Sequence, residues 1–392
     1  MDNFIYHTPT KVVFGRNTEA QCGALVRECG GTRVLIHYGG SSAVKSGLIG
    51  RVIQSLDAAG VAHVELGGVV PNPRLSLVRQ GAELCRDAGV DFILAVGGGS
   101  VIDSAKAIGY ALANDGDVWD FYSKKREPAA CLPIGAVLTI AAAGSEMSNS
   151  SVITNEAGML KRGCNSELCR PKFAVMNPEL TVTLPPYQTA SGCVDILMHT
   201  LERYLGRPDG AELTDGFSEE LLRVVMRSAR ILRDEPDNYD ARAEVMWASS
   251  LSHNGLMSCG GTGGDWASHQ LEHELGGMFD VAHGAGLAAV WGSWARYVLA
   301  DSPERFARLG LRVLGVVPEE TVTGTALAAV AAMEDFFRDI CMPTRIGDMG
   351  IALTEAQALE LAEKCSFFGT RTVGRVRELD KTDLYNIYLL AR

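Results

Sequence analysis

The 392-residue chain has no Cys-x-x-Cys pair; its ten cysteines are scattered, and the nearest two are Cys164 and Cys169. In a chain this large that pattern implies reduced thiols and a cytoplasmic setting, and excludes a disulfide framework. Long apolar runs are also missing. Residues 134–144 make the most apolar charge-free stretch of the N-terminal half, yet they include Thr139 and fall short of the ~20 residues a membrane helix needs. The opening Met1-Asp2-Asn3-Phe4 lacks a basic patch followed by an apolar run, so no secretory signal is expected. Positive charge is in deficit. Lys plus Arg number 36 against 47 Asp plus Glu, a formal net charge of −11 that would repel phosphate backbones and anionic lipid headgroups. Nucleic acid and membrane surfaces are therefore excluded as expected partners. What remains is globular: 47% hydrophobic and 21% charged residues, in a chain long enough for two or three domains.

The first half alternates short β-branched runs with helical stretches. Val34-Leu35-Ile36 leads into Tyr38-Gly39-Gly40-Ser41-Ser42, and Phe92-Ile93-Leu94-Ala95-Val96 leads into Gly97-Gly98-Gly99-Ser100. Between them lie amphipathic stretches at 49–59 and 75–88 and the run His63-Val64-Glu65-Leu66. This order predicts βαβ units on a parallel sheet, with further strands at 136–140 and 173–176. Past Leu184-Pro185-Pro186 β-branched runs become rare, and stretches 190–205, 240–256 and 326–340 carry apolar residues at helical spacing. The expected organisation is an α/β domain over residues 1–184 and an all-α domain over 185–392.

Two glycine clusters end strands of the predicted sheet. Glycine lets a backbone approach a ligand closely, and the positive end of the helix that follows favours a phosphate. A tight strand-to-helix turn would need glycine even without a ligand, but two clusters on one sheet edge favour a dinucleotide. NAD selectivity usually rests on an acid near the end of the adenosine-side strand. Residues 38–42 contain none, the next acid is Asp57, and Lys45 is close, which favours NADP(H).

The histidines carry the sharper signal. Five of the eight lie in the helical half, and four of these, His199, His269, His273 and His283, fall in a suggestive pattern. Asp195 and His199 are four apart, as are His269 and His273 on the stretch 265–275, which Asp265 would cap. Imidazoles and a carboxylate on converging helices suit a divalent ion, Fe²⁺ or Zn²⁺. A competing pattern occupies the same segment: His269-Gln270-Leu271-Glu272-His273 spells H-x-x-E-H, the inverted zinc-protease motif. That reading leaves Asp195, His199, His283 and both glycine clusters without a role.

From Phe4 to Arg392 the chain resembles the iron-dependent alcohol dehydrogenase family, in its NADPH-linked butanol dehydrogenase and aldehyde reductase branch. The matching stretches include Pro71-Asn72-Pro73-Arg74, the run from Leu94 through Gly97-Gly98-Gly99-Ser100 to Asp103 and Lys106, Gly144-Ser145-Glu146, Leu184-Pro185-Pro186, residues 240–247, Asp265-Trp266-Ala267 and His273-Glu274-Leu275. The resemblance implies a dehydroquinate-synthase-like architecture with the metal in the cleft between the domains. It implies Asp195, His199, His269 and His283 as metal ligands and His273 as a non-ligand histidine of the substrate site. It places Gly39, Gly40, Ser41, Gly97, Gly98, Gly99, Ser100, Asp103, Thr139, Ser148 and Lys161 where relatives contact the dinucleotide. Ala142 departs from the family pattern, standing where many relatives have threonine, and His253 matches no functional position and reads as an ordinary helix residue.

The expected reaction is reversible hydride transfer between NADP(H), with NAD(H) a possible substitute, and a small aldehyde or primary alcohol, in a homodimer. The metal would act as a Lewis acid and His273 would relay the proton. A metal-dependent sugar-phosphate cyclase shares the architecture, but it would place more basic residues around a substrate phosphate than 265–286 offers.

Overall fold

A computed structural model describes residues 1–207, 210–261 and 263–392. It divides the chain into two compact units, Thr8–Thr183 and Leu184–Arg392, the second joined by Met1–His7. The first seven residues thus group with the helical unit and not with the α/β unit expected for them: the Asp2 amide donates to the Gly260 carbonyl at 3.2 Å. No periodicity or turn signal marks that switch in the sequence.

The α/β unit is built on six parallel strands: β1 (Lys11–Phe14), β2 (Arg33–Tyr38), β3 (Ala62–Leu66), β4 (Phe92–Gly97), β5 (Ile134–Leu138) and, after a hairpin, β8 (Phe173–Met176). Their order across the sheet is β1-β8-β5-β4-β2-β3. Every residue of β4 is buried, as an unbroken apolar run on a sheet covered on both faces must be. Phe92 stacks on Phe173 with ring centroids 5.8 Å apart. A Cβ at Gly135 would come within 2.3 Å of that Phe173 ring, so only glycine fits there. The hairpin pairs β6 (Ser150–Asn155) with β7 (Leu160–Asn165) in antiparallel register.

The predicted strand at 136–140 begins and ends two residues earlier. Thr139 still donates to the Gly97 carbonyl at 3.1 Å, but Ile140 no longer pairs and instead packs against Gly98. β1 and the hairpin were not anticipated, because Lys11-Val12-Val13-Phe14 is short and Leu160-Lys161-Arg162-Gly163-Cys164-Asn165 is neither alternating nor β-branched.

In the helical unit the helix Pro186–Leu205 starts with Pro186 in its first turn, where proline costs no hydrogen bond. It packs against Glu212–Asp234, Tyr239–His253 and His283–Val298, and the last of these against Ala267–Phe279. The helix expected over 240–256 stops at His253, where Asn254 and Gly255 turn the chain, Gly255 with φ 101°. Gly284 explains one close approach: a Cβ there would lie 1.9 Å from the Ser191 carbonyl oxygen. Bare backbone at that point lets the helix His283–Val298 lie directly on Pro186–Leu205. Among the described residues no helix is long and apolar enough to cross a membrane.

Candidate functional site

Asp195, His199 and Glu202 sit at successive turns of Pro186–Leu205, on one face by their spacing of four and three. His269, Glu272 and His273 occupy the first two turns of Ala267–Phe279, and His283 opens the next helix. Ligand atoms of Asp195, His199 and His269 lie within 4.8 Å of one another, and the three residues are nearly fully buried. His283 joins them: its Nε2 is 3.7 Å from Asp195 Oδ1, the same distance as His269 Nε2. Its side chain is 27% exposed, which leaves the cluster open to solvent on that side.

The two imidazoles aimed at Asp195 are each held from behind by a carboxylate. Glu202 Oε2 meets His269 Nδ1 at 2.5 Å, and its Oε1 accepts the His269 amide at 3.1 Å. Glu272 Oε2 bonds His283 Nδ1. Both glutamates are fully buried. Carboxylate behind imidazole is the usual outer shell of a metal-binding histidine, since it fixes the tautomer and turns the other nitrogen toward the ion. Sequence reasoning missed Glu202 altogether, although the run of positions 195, 199 and 202 marks one helical face. It gave Glu272 a role only under the protease reading. That reading fails here, because a carboxylate engaged by His283 and sealed from solvent does not activate water.

Whether a cation fits is answered by the polar atoms left over. Asp195 Oδ1 and His269 Nε2 are buried and make no well-directed hydrogen bond among the described residues, Oδ1 having only the contact to His199 Nδ1 at 3.1 Å, an arrangement that is costly unless something bridges them. Burial alone would raise the Asp195 carboxyl, but the imidazoles of His199 and His283 outweigh it and hold it well below the usual range. Burial disfavours charge on His269, yet Glu202 and then Asp195 raise it to about 9, so the pocket draws positive charge. Burial pushes His199 down to about 4 against the upward pull of Asp195, and a cation held here would displace the proton that His269 carries. One carboxylate and three imidazoles therefore fit a divalent ion.

His273 stands beside this set, its ring 5.8 Å from that of His283 and 6.4 Å from that of His269. His253 is not the ordinary helix residue expected: its ring lies 4.1 Å from that of His199, tilted by 30°. Trp266, with φ 67°, lies edge-on to His269 at 5.3 Å. Asp265 is not the N-cap expected: Trp266 holds that position, and Asp265, one residue outside it, accepts the Ala267 amide on Oδ1 at 3.0 Å and the amides of Arg375 and Val376 on Oδ2.

The α/β unit brings the glycine clusters together. β2 and β4 are neighbours, Tyr38 opposite Val96, and the strand order reverses between them, the position at which open parallel sheets bind ligands. Gly39, Gly40 and Ser41 leave β2, Gly40 and Ser41 exposed; Gly97 ends β4, and Gly98 caps the helix Gly99–Ala113, in whose first turn Ser100 sits. The first amides of that helix have no intrahelical partner and suit a phosphate. Packing also dictates Gly97 and Gly98, where a Cβ would strike Val101 and Ile140. Thr139 is half-buried beside Gly97.

Three expected contacts are turned inward. Ser148 is buried, its hydroxyl 3.3 Å from Lys106 Nζ. Asp103 spends its carboxylate on the Ser145 hydroxyl and the Val152 amide, at 2.5 and 2.9 Å. Lys161 is 5% exposed on β7. None of the three presents a free polar group in the way Gly40 and Ser41 present their backbone.

Comparison with known proteins decides the family. The iron-containing alcohol dehydrogenase model matches residues 9–178, and the C-terminal model of the Fe-containing alcohol dehydrogenase family matches 189–391. The chain belongs to the iron-containing alcohol dehydrogenase family. It is 38% identical to a probable NADH-dependent butanol dehydrogenase of Bacillus subtilis, over 99% of both chains. It is 35% identical to the NADPH-dependent aldehyde reductase YqhD of Escherichia coli, over 100% of both. The crystal structure of NADH-dependent butanol dehydrogenase A from Thermotoga maritima superposes with a TM-score of 0.96 at 36% identity, covering 100% of this chain and 99% of that one. The dehydroquinate-synthase-like fold class follows, as does a metal-dependent alcohol and aldehyde oxidoreductase that uses a divalent metal and NAD(P). A cyclase is not favoured.

Proposed function

We propose that this iron-containing alcohol dehydrogenase family member interconverts small aldehydes and primary alcohols with NADP(H) preferred over NAD(H). In this reading Asp195, His199, His269 and His283 hold one divalent cation, and Gly39–Ser41 and Gly97–Ser100 hold the dinucleotide. The supporting observation is the pair of unbridged buried atoms, Asp195 Oδ1 and His269 Nε2, 3.7 Å apart. Iron and zinc both suit the N₃O set, and availability selects between them.

A bound cation supplies Lewis-acid polarisation of the carbonyl oxygen, and the nicotinamide supplies or takes the hydride. Glu202 and Glu272 keep the imidazoles of His269 and His283 aimed inward. His273, beside the imidazoles of His269 and His283, gives the proton that completes the alcohol and takes it back in oxidation. NADP(H) is favoured because residues 38–42 offer a 2′-phosphate hydroxyls and amides but no carboxylate, with Lys45 exposed on the next turn. The butanol dehydrogenase relatives are named NADH-dependent and the aldehyde reductase NADPH-dependent, so the preference proposed here rests on residues 38–45 alone. We place the protein in the cytoplasm as a homodimer, on the strength of ten free cysteines and the prevalence of two-fold assemblies; sedimentation at twice the chain mass tests the latter.

The deciding experiment is elemental analysis of single variants. Asp195→Ala, His199→Ala, His269→Ala and His283→Ala are each expected to lose metal and activity together. His273→Ala is expected to keep its metal and lose kcat. A metal-free His273 variant beside a fully loaded Asp195 variant overturns the assignment.

A further inference from the structure

Lys106 is a lysine with no exposed surface, on the third turn of Gly99–Ala113, the helix whose N-terminus follows the glycine turn. An ammonium out of water is tolerated only when its donors are fully met. Here five oxygens surround Nζ, all from one short segment: the carbonyls of Ser145, Ser148 and Ser150 at 2.7, 3.1 and 2.7 Å, and the hydroxyls of Ser145 and Ser148 at 2.9 and 3.3 Å. Asp103, one turn earlier, braces the same segment by accepting the Ser145 hydroxyl and the Val152 amide. The lysine thus does what a bound cation does in a carbonyl cage: it sets the path of the irregular loop that leads into β6 at Ser150.

The residues that lead into that loop pack against the glycine turn. A Cβ on Gly98 would sit 2.9 Å from Ile140, one on Gly99 would sit 3.0 Å from Ala143, and Thr139 is hydrogen-bonded to Gly97. Residues 139–143 therefore form one wall of the turn, and 145–150, their continuation, are pinned by Lys106. Packing alone would be served as well by methionine, at no desolvation cost; a buried cation is needed to gather three carbonyls at one point.

We propose that Lys106 is a positioning residue for the nicotinamide cofactor, acting through the 139–150 segment and never touching the cofactor itself. The inference rests on the cofactor placement proposed above. Its test is NADPH binding, read as energy transfer from the five tryptophans, together with steady-state kinetics. Lys106→Met should weaken NADPH binding and raise its KM by about 10-fold or more, the equivalent of one or two lost orienting hydrogen bonds. Metal content, KM for the aldehyde and kcat at saturating NADPH should stay near wild type. Ser145→Ala, which keeps the lysine and removes one hydroxyl shared with Asp103, should move NADPH binding in the same direction by about 3-fold. Ile108→Ala, a buried cavity on the same helix, should lower thermal stability without moving NADPH affinity. If Lys106→Met does not fold, the Ser145 and Ile108 variants carry the test. Wild-type NADPH affinity in Lys106→Met or Ser145→Ala, or an equal loss in Ile108→Ala, overturns the proposal. Failure of the unmutated protein to bind NADPH or NADH overturns the cofactor reading itself, and the positioning role with it.

Discussion

Glu202 and Glu272 show how a binding site can be half hidden in a sequence. The histidines stand out because imidazole is scarce and its spacing of four is legible on a helix, whereas a glutamate on a helix ordinarily means a solvated face. Only the fold shows that these two carboxylates are sealed from solvent and spent on His269 and His283. The same lack of three-dimensional context hid His253, which has no spacing partner yet lies against His199. It also made Ser148 and Asp103 look like cofactor contacts, though their side chains face the protein. Outer-shell carboxylates typically change metal affinity 10- to 100-fold, so Glu202→Gln and Glu272→Gln should each retain the protein fold but release metal at about 10- to 100-fold lower chelator concentration. Retention equal to wild type in both variants would mean the two carboxylates do no more than satisfy buried imidazoles.

At the scale of elements, regular patterns were readable and irregular ones were not. The helix Leu75–Ala88 and strand β4 coincide with their sequence patterns because apolar periodicity and the residues that stop them agree. The β6–β7 hairpin was invisible: its register is fixed by pairing across six residue pairs and not by alternation within either strand. The glycines behave differently at their two sites. At Gly284 the reason is a helix crossing, and Gly284→Ala would drive a methyl into the Ser191 carbonyl, separating the two helices that carry Asp195 and His283. That variant should lose stability and metal together, by a circular dichroism melt and elemental analysis; a loaded, stable variant would show the crossing to be yielding. Gly39 has room: its nearest neighbour to a new Cβ is the Val69 carbonyl at 3.4 Å, and its φ is not left-handed. Gly39→Asp should therefore fold and shift the ratio of kcat/KM for NADPH over NADH toward NADH by at least about 10-fold, one carboxylate hydrogen bond gained and one phosphate repelled. An unchanged ratio would remove Gly39 from the ribose end of the cofactor.

The molecule as a whole carries its net charge of −11 on a scaffold whose buried ionisable groups set its response to acid. In the α/β unit the decisive one is His37, fully buried near the C-terminal end of β2. Its Nδ1 meets the Leu66 carbonyl and its Nε2 the Ser104 hydroxyl, both at 2.9 Å, so the neutral ring ties β2 to β3 and to the helix Gly99–Ala113. Burial pushes it down from 6.5 to about 4, against a weaker upward pull from the Leu66 carbonyl. Between those two values the unfolded chain binds a proton that the folded chain refuses. Its contribution to stability is therefore complete above pH 6.5 and is lost as pH falls toward 4, by about 2 kcal/mol between pH 7.5 and 5. His37→Gln should be less stable than wild type at pH 7.5, having lost a fitted ring, but the gap should narrow by about that amount at pH 5, because glutamine takes up no proton. Urea unfolding of both proteins at the two pH values measures the gap, and comparing variants cancels the titration of the metal cluster, which the two share. A gap that is the same at both pH values would show that His37 does not stay neutral in the folded chain, and that acid sensitivity arises elsewhere.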